Sequence, residues 1–481
     1  MQFTAVDGQR SSSAVGTAVL AAALRPVEPR AANTAAGETA WRKRYPDHFV
    51  AVTRAAAHSA DAALTMARDG LAALDERMCV VGSSGTERPL ADLADHGGDV
   101  AVTTETITGA ADPVAEVRVP YRGRELTGDA LRDQLRTWVD GGIVEPGFAE
   151  RIRTAVEHPE WLAFPGRTVV VLGAASAMGP LPSLLAWGAQ VVAVDLPDAA
   201  LWSRLLDRVR AGAGTVQLPR TPAGYGLDLV RQLPETARWL AEVTDDRPVV
   251  LGTYVYADGA VHVALSAAAQ QIATGLRTAD RPVTTAYLAT PTDTFLVPDD
   301  VMDAARGRWP NRPWWTRAVR PLTLGHAFRE AYRETAVGDD GRRWGLQRTV
   351  VSVQGPNYLL AKRVQRWRGM LDAHAGRPVS FTVAPATWTH SVTKNRILAS
   401  AYRGAPRVGV EIFDEATSSA LLAAKLVADV HDPRPLQDHP ETLFSRDAAH
   451  GGLWRVPFEP ESALTVAALL GLPGTLLGRA G

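Results

Sequence analysis

Between residues 168 and 289, short apolar runs alternate with segments of helical periodicity. The strand-like runs cover residues 169–172, 190–194, 213–220, 248–255 and 283–289. The segments at 227–243 and 261–276 carry Ala and Leu at the spacing of one helix face. Unbroken runs of β-branched residues are typical of strands buried on both faces of a parallel sheet. The alternation therefore predicts an α/β fold with a doubly wound parallel sheet.

The rest of the chain departs from this pattern and predicts four further regions. Residues 1–36 are rich in Ala, Ser, Gly and Arg with little periodicity, and we expect a mobile tail. Residues 37–165 predict an α+β accessory region, for which we favour the role of a structural cap. The main domain spans 166–435 and contains a helical insertion at about 294–347. Residues 436–481 form a C-terminal extension, in which HGGLWRVPF and an apolar helix favour an oligomer contact.

Composition and charge narrow the classes of partner. The chain has 481 residues and a formal net charge of −1, with dispersed basic residues, which disfavours nucleic acid and anionic membranes. We expect a small-molecule substrate and a homo-oligomer. The single cysteine, Cys79, excludes an internal disulfide framework and fits a reducing compartment.

The sequence shows neither a targeting segment nor a metal-binding motif. The first residues lack a basic segment followed by an apolar one, and the apolar run at 14–24 is too short and Ala-rich to span a bilayer. We therefore expect a cytoplasmic protein with no membrane association. The eleven histidines form no HxxxH or HExxH pattern, and no CxxC is present, so no metal site is predicted.

A small-residue turn, GAASAMG, follows the first strand of the main domain. Gly173 allows a sharp turn, and Gly179 lies where the next helix would begin. Unpaired N–H groups and the helix dipole at such a turn bind a pyrophosphate. The alternative is an ordinary strand–turn–helix, because a glycine turn is a weak motif by itself. The predicted contacts of this turn are Gly173, Ala174, Ser176, Ala177, Met178 and Gly179.

An acidic residue, Asp195, ends the second strand. A carboxylate at this point accepts hydrogen bonds from the ribose hydroxyls of a dinucleotide. No Lys or Arg occurs in 174–200 to bind a 2′-phosphate, so the sequence favours NAD over NADP. Leu196 and Thr253 are added to the predicted cofactor contacts, because ligands of such sheets bind at the carboxyl ends of the strands.

Tyr358 and Lys362 form the motif YLLAK far downstream. Residues four apart lie on one helix face, so the ammonium can sit beside the phenol. A neighbouring cation favours the phenolate and brings a group with a pKa of about 10 nearer the working pH. The alternative is an amphipathic helix with a half-buried Tyr and a solvated Lys.

Together, GAASAMG, Asp195, YLLAK and the strand end VAPAT resemble the short-chain dehydrogenase/reductase family. The resemblance covers roughly 168–435. It implies hydride transfer between nicotinamide and a substrate carbon, with Tyr358 transferring the proton and Lys362 binding the nicotinamide ribose and lowering the Tyr pKa. It also implies a cofactor contact at Pro385 and a Thr touching the nicotinamide amide, for which Thr387 and Thr389 are candidates.

The chain departs from the family pattern at several positions. Leu172 and Ala177 replace the Thr and the middle Gly of the usual loop, and LGTYVYADGA stands where the family has Asn-Asn-Ala-Gly. The family Ser, about a dozen residues before the Tyr, has no match. Its candidate replacements are Thr290 and Thr292 after the fifth strand, and Ser352 and Gln354 in a strand predicted just before Tyr358.

The insertion carries Trp309, Trp314 and Trp315 with several Arg, namely Arg308, Arg312 and Arg317. Two interpretations stay open. The first is a lid in which the Trp faces form an apolar wall and an Arg meets an anionic group. The second is a packed subdomain with core aromatics and solvated arginines.

Three classes of function are compatible with these motifs. The first is an NAD(H)-dependent oxidoreductase acting on a small carbonyl, alcohol or enoyl compound. The second is a dinucleotide-binding protein without redox turnover, either a sensor or assembly subunit or an epimerase or dehydratase with bound NAD. The third is a methyltransferase binding S-adenosylmethionine, which would not require YLLAK followed by VAPAT.

Overall fold

The structure is a computed structural model that describes residues 1–5, 8–82, 85–95, 98, 100–278, 281–351 and 354–476. Its strands are β1 (Gln2–Phe3), β2 (Met78–Val81), β3 (Glu87–Pro89), β4 (Thr103–Thr108), β5 (Val119–Tyr121), β6 (Arg124–Leu126), β7 (Thr168–Leu172), β8 (Gln190–Val194), β9 (Thr215–Thr221), β10 (Gly224–Tyr225), β11 (Val249–Thr253), β12 (Val283–Ala289), β13 (Thr294–Val297), β14 (Thr335–Val337), β15 (Arg343–Arg348) and β16 (Val379–Val383). Its helices are α1 (Ser12–Leu24), α2 (Pro29–Ala36), α3 (Trp41–Ala56), α4 (Ala60–Asp75), α5 (Gly128–Gly141), α6 (Pro146–Glu157), α7 (Leu181–Ala186), α8 (Ala199–Ala211), α9 (Leu233–Val243), α10 (Ala260–Thr278), α11 (Asp299–Gly307), α12 (Trp314–Leu322), α13 (Pro356–His374), α14 (His390–Lys394), α15 (Arg396–Gly404), α16 (Glu415–His431), α17 (Thr442–Ser445) and α18 (Pro460–Leu476).

The central sheet contains a run of parallel strands in the order β9-β8-β7-β11-β12-β16. Numbered along the chain, this is the order 3-2-1-4-5-6 of a Rossmann-like doubly wound sheet. Antiparallel β4 and β10 both pair with β9 at one side of this sheet. The predicted α/β class is therefore confirmed. Because the strand order reverses between β7 and β11, the ligand crevice of this fold lies at their carboxyl ends.

Helices cover both faces of the sheet, and alternate strand residues pack into different cores. Val170 and Leu172 of β7 belong to the core that also holds α10, α13 and the N-terminal helices α1, α3 and α4. Val169 and Val171 belong to the opposite core, together with α6, α7, α8 and α16. All four side chains are fully buried, which explains why the strand reads as an unbroken apolar run.

The expected mobile tail at 1–36 is wrong for most of its length. Residues 12–24 and 29–36 form α1 and α2, and α1 packs against α4. The Ser11 side chain caps α1 by accepting a hydrogen bond from the Ala14 N–H group. Buried residues of α1, including Val19 and Leu24, are spread around the helix. A helix that is apolar on all sides lacks amphipathic periodicity, so its pattern did not identify it.

The other flanking regions also differ from their predictions. The insertion, expected to be helical, contains the antiparallel sheet β13-β15-β14 besides α11 and α12. Strand β4 of the accessory region belongs to the central sheet. In the C-terminal extension, His450, Trp454 and Phe458 are buried within this chain, so HGGLWRVPF is a core segment and not an exposed oligomer contact.

Within the described ranges, no helix has the length and apolar character needed to cross a membrane. No group of three or more His, Cys, Asp or Glu side chains there is arranged to hold a metal ion. Cys79 is buried and has a free thiol.

Candidate active site

The glycine turn after β7 lies against the loop that follows β11. Gly173 has φ +84°, and a Cβ added to it would be 2.9 Å from both the carbonyl carbon of Tyr254 and the nitrogen of Val255. Its N–H group and that of Ala174 donate to the Val194 carbonyl at 2.9 and 3.1 Å. This position therefore requires glycine both for its backbone conformation and for the close approach.

The remainder of the turn is held by its own backbone. The Ser176 N–H group donates to the Gly173 carbonyl, and the Gly179 N–H group donates to the Ser176 carbonyl, both at 3.0 Å. Helix α7 begins at Leu181 and not at Gly179, whose carbonyl accepts a hydrogen bond from Ser419 of α16 at 2.7 Å. Ala177 lies at the surface and Met178 is half-buried.

Asp195 follows β8 and links that strand to the glycine turn. Its Oδ2 atom accepts from the Ala175 N–H group at 2.7 Å, and its Oδ1 atom accepts from the Leu196 N–H group at 2.8 Å. Burial raises the pKa of this carboxyl, while the two N–H donors lower it. Each oxygen retains a second acceptor site, so the carboxylate can still accept hydrogen bonds from a ligand. The Leu196 side chain is exposed.

Thr253, Pro385 and Thr387 also lie at the carboxyl ends of the strands. Thr253 is buried at the end of β11, and Pro385 follows β16. The Thr387 hydroxyl donates to the Pro385 carbonyl at 2.9 Å and lies 2.7 Å from the Ser418 hydroxyl. A contact of Thr387 with nicotinamide stays a prediction.

Tyr358 lies in the first turn of α13, and the Thr290 side chain beside it lowers the pKa of its phenol. Thr290 directly follows β12. Its hydroxyl is 2.7 Å from that of Thr292, which in turn accepts a hydrogen bond from the Gln354 amide nitrogen at 2.6 Å. These three hydrogen-bonded side chains end beside Tyr358, and they are three of the four candidates for the missing family Ser.

The fourth candidate, Ser352, lies outside the described residues. The strand predicted just before Tyr358 is absent from 349–351, where the chain has no regular structure. Thr349 instead bonds back to the β12–β13 loop, through the carbonyls of Pro291 and Asp293 at 2.6 and 2.8 Å. This contact returns the chain from the insertion to the end of β12, where α13 begins.

The charges and rings around Tyr358 determine its acidity. Burial raises its pKa well above the usual value for a phenol, and the Thr290 side chain lowers it. Tyr256, Tyr402 and Asp293 act in the same direction as burial. Near neutral pH the side chain is therefore protonated and able to donate a proton.

Lys362 lies one turn along α13 and is buried. Its ammonium donates to the Leu288 carbonyl at 3.0 Å and to the Gln365 side-chain oxygen at 3.2 Å. Burial lowers its pKa to about 8, although Asp293 raises it. Lys362 is on the predicted helix face, but its hydrogen bonds go to the sheet and to its own helix. The groups that shift the pKa of Tyr358 do not include it.

His262, in the first turn of α10, is a member of this site that the sequence did not reveal. Its ring centroid is 5.4 Å from those of Tyr256 and Tyr358. The side chain is fully buried, and neither ring nitrogen has a hydrogen-bond partner among the described residues. Burial lowers its pKa to about 3, and Lys362 acts in the same direction. A single histidine in an Ala-rich helix carries no signal that separates it from an ordinary core residue.

The aromatic residues of the insertion do not form a wall at this site. Trp315 packs edge-on against Phe328, and Arg312 stacks on Trp309 with its guanidinium carbon 3.9 Å from the ring centroid. Arg308 donates to the carbonyls of Gly141 and Arg455, both at 3.1 Å. Trp314 is exposed, so the insertion matches neither interpretation in full: its aromatics are only partly packed, and Arg308 and Arg312 contact protein groups.

The comparisons with known proteins add little to this geometry. No protein-family model matches the chain, and no curated protein sequence matches it. The solved structures to which the chain is similar include one described as the terminal R domain from the myxalamid PKS-NRPS biosynthetic pathway. The identity is 16%, the TM-score is 0.29, and the match covers 57% of this chain and 68% of that chain. Similarity at this level carries no argument about function, so the fold assignment rests on the strand order.

Proposed function

We propose that this protein is an NAD(H)-dependent oxidoreductase of the short-chain dehydrogenase type. It would act on a small organic carbonyl, alcohol or enoyl compound. The observation that carries the proposal is the position of Tyr358 beside the Thr290 hydroxyl, which lowers its pKa, at the carboxyl edge of a doubly wound sheet. A proton donor and a hydroxyl therefore lie together at the edge where this fold binds its ligands.

The direction of the hydrogen bonds supports an acid–base role for Tyr358. The Gln354 amide nitrogen can only donate, so Thr292 accepts from it and keeps its own hydroxyl proton free to donate to Thr290. In the proposed arrangement Thr292 donates to Thr290 and Thr290 donates to the phenolic oxygen, in keeping with its lowering of the Tyr358 pKa. When Tyr358 gives its proton to a substrate oxygen, this chain of donors stabilises the phenolate that remains.

The proposed role of Lys362 is to bind the nicotinamide ribose. Its buried ammonium lies on the same helix face as Tyr358 but is not among the groups that shift the Tyr358 pKa. With a pKa of about 8, part of the Lys362 population is neutral in mildly alkaline solution. The charge that Lys362 offers to the cofactor therefore weakens as the pH rises through this value.

The residues around the crevice fit a nicotinamide dinucleotide. Gly173 lets the turn lie against the Tyr254–Val255 backbone at this edge, and Asp195 presents carboxylate acceptors next to the turn. A negative carboxylate repels a 2′-phosphate, which favours NAD over NADP. The cofactor, when bound, supplies or accepts the hydride.

A turnover assay tests this function. A panel of alcohols and aldehydes would be screened by the change in NADH absorbance, with Tyr358→Phe and Tyr256→Phe as matched variants. We expect Tyr358→Phe to reduce turnover at least 100-fold while leaving NADH affinity within twofold. Tyr256→Phe, which alters an exposed ring beside the site, should retain most of the activity. Equal activity in both variants would contradict the role of Tyr358.

One observation favours a second candidate, a dinucleotide-binding protein without net redox turnover. The Lys362 ammonium is bonded to Leu288 and Gln365, and is not directed at the Tyr358 phenol. The same cofactor would then serve a sensor or assembly role, or a non-redox epimerase or dehydratase. Tight NADH binding without absorbance change for any alcohol or aldehyde would favour this candidate.

A further inference from the structure

An apolar pocket opens next to the Thr290–Tyr358 pair. Its walls come from α15, α18, residues 349–351 and the segments at 405–412 and 453–460. It encloses about 70 Å³, and further space at its mouth is open to solvent. Most lining side chains are hydrocarbon, such as Leu398, Ala401, Val456 and Phe458.

The helices that form one wall are in direct backbone contact. A Cβ on Gly404 of α15 would collide with the Ala467 carbonyl of α18, and a Cβ on Gly471 would collide with the Ser400 carbonyl. Because neither glycine has a side chain, the two helices approach without a layer of mobile side chains between them. This wall is therefore formed before any ligand enters, which reduces the entropic cost of binding.

Two polar residues connect the pocket to the proposed proton donor. Thr292 lines the pocket, and its hydroxyl is 2.7 Å from that of Thr290, which lies beside Tyr358. Tyr402 lines another part of the wall and is close enough to Tyr358 to influence it electrostatically. A molecule with an oxygen at Thr290 and Tyr358 can therefore extend its carbon chain past Thr292 into the pocket.

We infer that this pocket binds an uncharged, apolar chain of the substrate, whose reacting oxygen lies at Thr290 and Tyr358. The inference rests on the proposed oxidoreductase function. Placing a charged group among hydrocarbon side chains would cost several kcal/mol unless it found a partner. The acidic group at the pocket is Glu461, which lies 3.8 Å from Arg348. The lining residues include no Lys, Arg or His to pair with a terminal carboxylate, so neutral chains are preferred.

A matched pair of alcohols tests this preference. 1-Decanol and 10-hydroxydecanoate have the same chain, but only the second ends in a carboxylate. Each would be titrated by calorimetry into the full-length protein, with and without NADH. We expect 1-decanol to bind at least tenfold more tightly than 10-hydroxydecanoate. Failure of 1-decanol to bind, or equal affinity for the two alcohols, would overturn the inference.

Variants of the pocket-lining residues test whether 1-decanol binds in this pocket. Ala401→Leu, which fills the pocket, should weaken 1-decanol binding at least tenfold, whereas Ile397→Leu, on the exposed side of the same helix, should leave it unchanged. Val456→Ala, which enlarges the pocket, should shift the preferred alcohol from 1-decanol to a longer one. A misfolded protein could not gain affinity for a longer alcohol. Unchanged 1-decanol affinity in Ala401→Leu would contradict the inference.

The same experiment separates this inference from the proposed function. Binding of 1-decanol that depends on Ala401, without oxidation by NAD, would support the pocket and count against the oxidoreductase. Oxidation of ethanol with no preference for 1-decanol would support the oxidoreductase and overturn the pocket assignment.

Discussion

Thr290 lies beside Tyr358 and lowers the pKa of its phenol, although the whole insertion lies between the two residues in the sequence. Thr290 directly follows β12, and Tyr358 lies in the first turn of the helix that crosses to β16. The β13-β15-β14 sheet and helices α11 and α12 occupy the intervening chain. The chain leaves and re-enters the domain at the same edge, so the insertion does not separate the two hydroxyls.

Substitution of Thr290 tests whether its hydroxyl governs proton transfer. In Thr290→Ala, the phenolate of Tyr358 loses a donor, so its pKa rises further. We expect kcat for alcohol oxidation to fall about 10- to 100-fold, and the limb where kcat rises with pH to move to higher pH. The measurement is the pH profile of kcat and kcat/KM.

Thr290→Ser is the control, because it retains the hydroxyl and should restore most of the rate and the pH profile. A Thr290→Ala profile that coincides with that of the wild type would show that Thr290 does not act on Tyr358.

The buried ammonium of Lys362 predicts a pH-dependent stability. Its pKa of about 8 in the folded protein is below the ordinary value of 10.5, so the folded state releases this proton first. The contribution of Lys362 to stability therefore increases as the pH rises from 8 to 10.5, by about 3 kcal/mol. Urea unfolding of wild type and Lys362→Met would measure it.

The free energy of unfolding of the wild type should rise relative to Lys362→Met across this pH interval. Lys394→Met, at an exposed position, should follow the wild type. A constant difference between wild type and Lys362→Met from pH 7 to 10.5 would contradict the assigned burial of the ammonium.

The buried imidazole of His262 predicts a loss of stability at acidic pH. Its pKa is lowered to about 3 in the folded protein, from an ordinary value of 6.5, so below pH 6.5 the unfolded chain binds the proton and the folded state does not. Stability is therefore lost as the pH falls, at about 1.4 kcal/mol per pH unit between 6 and 3. His262→Leu should lack this loss.

Denaturant unfolding from pH 7 to pH 4 measures it, with His390→Leu at an exposed position as the control. If His262→Leu and the wild type lose stability in parallel, the imidazole is not held neutral by burial.

Substitution of Gly173 by Ala should lower the stability of the protein for two separable reasons. Ala at this position meets both a positive φ and the backbone of Tyr254 and Val255. Gly376 has a similar φ of +70° but open space around it. We expect Gly376→Ala to cost about 1 kcal/mol from conformation alone, and Gly173→Ala to cost more and to weaken NADH binding. Thermal unfolding and calorimetry provide the two readouts, and equal losses would argue against the close approach.

The extent to which the sequence predicted the fold differed between regions. The strand at 283–289 coincides with β12, because a strand buried on both faces shows its length as an apolar run. Helix α1 was missed, because an all-round apolar helix resembles a low-complexity tail. The C-terminal segment at 450–458 was assigned to a surface, because its burial depends on contacts made by distant parts of the chain.

The candidate site was also predicted only in part from the sequence. The motif YLLAK is local, and it predicted the helix face that Tyr358 and Lys362 share. The direction of the Lys362 ammonium depends on the Leu288 carbonyl, which no sequence spacing specifies. The sequence could not show which hydroxyl candidate lies beside Tyr358, because this depends on the path that the insertion takes. His262 carried no signal at all.

The most direct test of the account is calorimetric titration with NADH, NADPH and S-adenosylmethionine. Three proteins would be compared: wild type, Asp195→Asn, and Asp198→Asn, in which a neighbouring aspartate that caps α8 is altered. We predict that the wild type binds NADH more tightly than NADPH, that Asp195→Asn weakens NADH binding about tenfold, and that Asp198→Asn does not. Absence of binding of either nicotinamide dinucleotide to the wild type would contradict the oxidoreductase assignment.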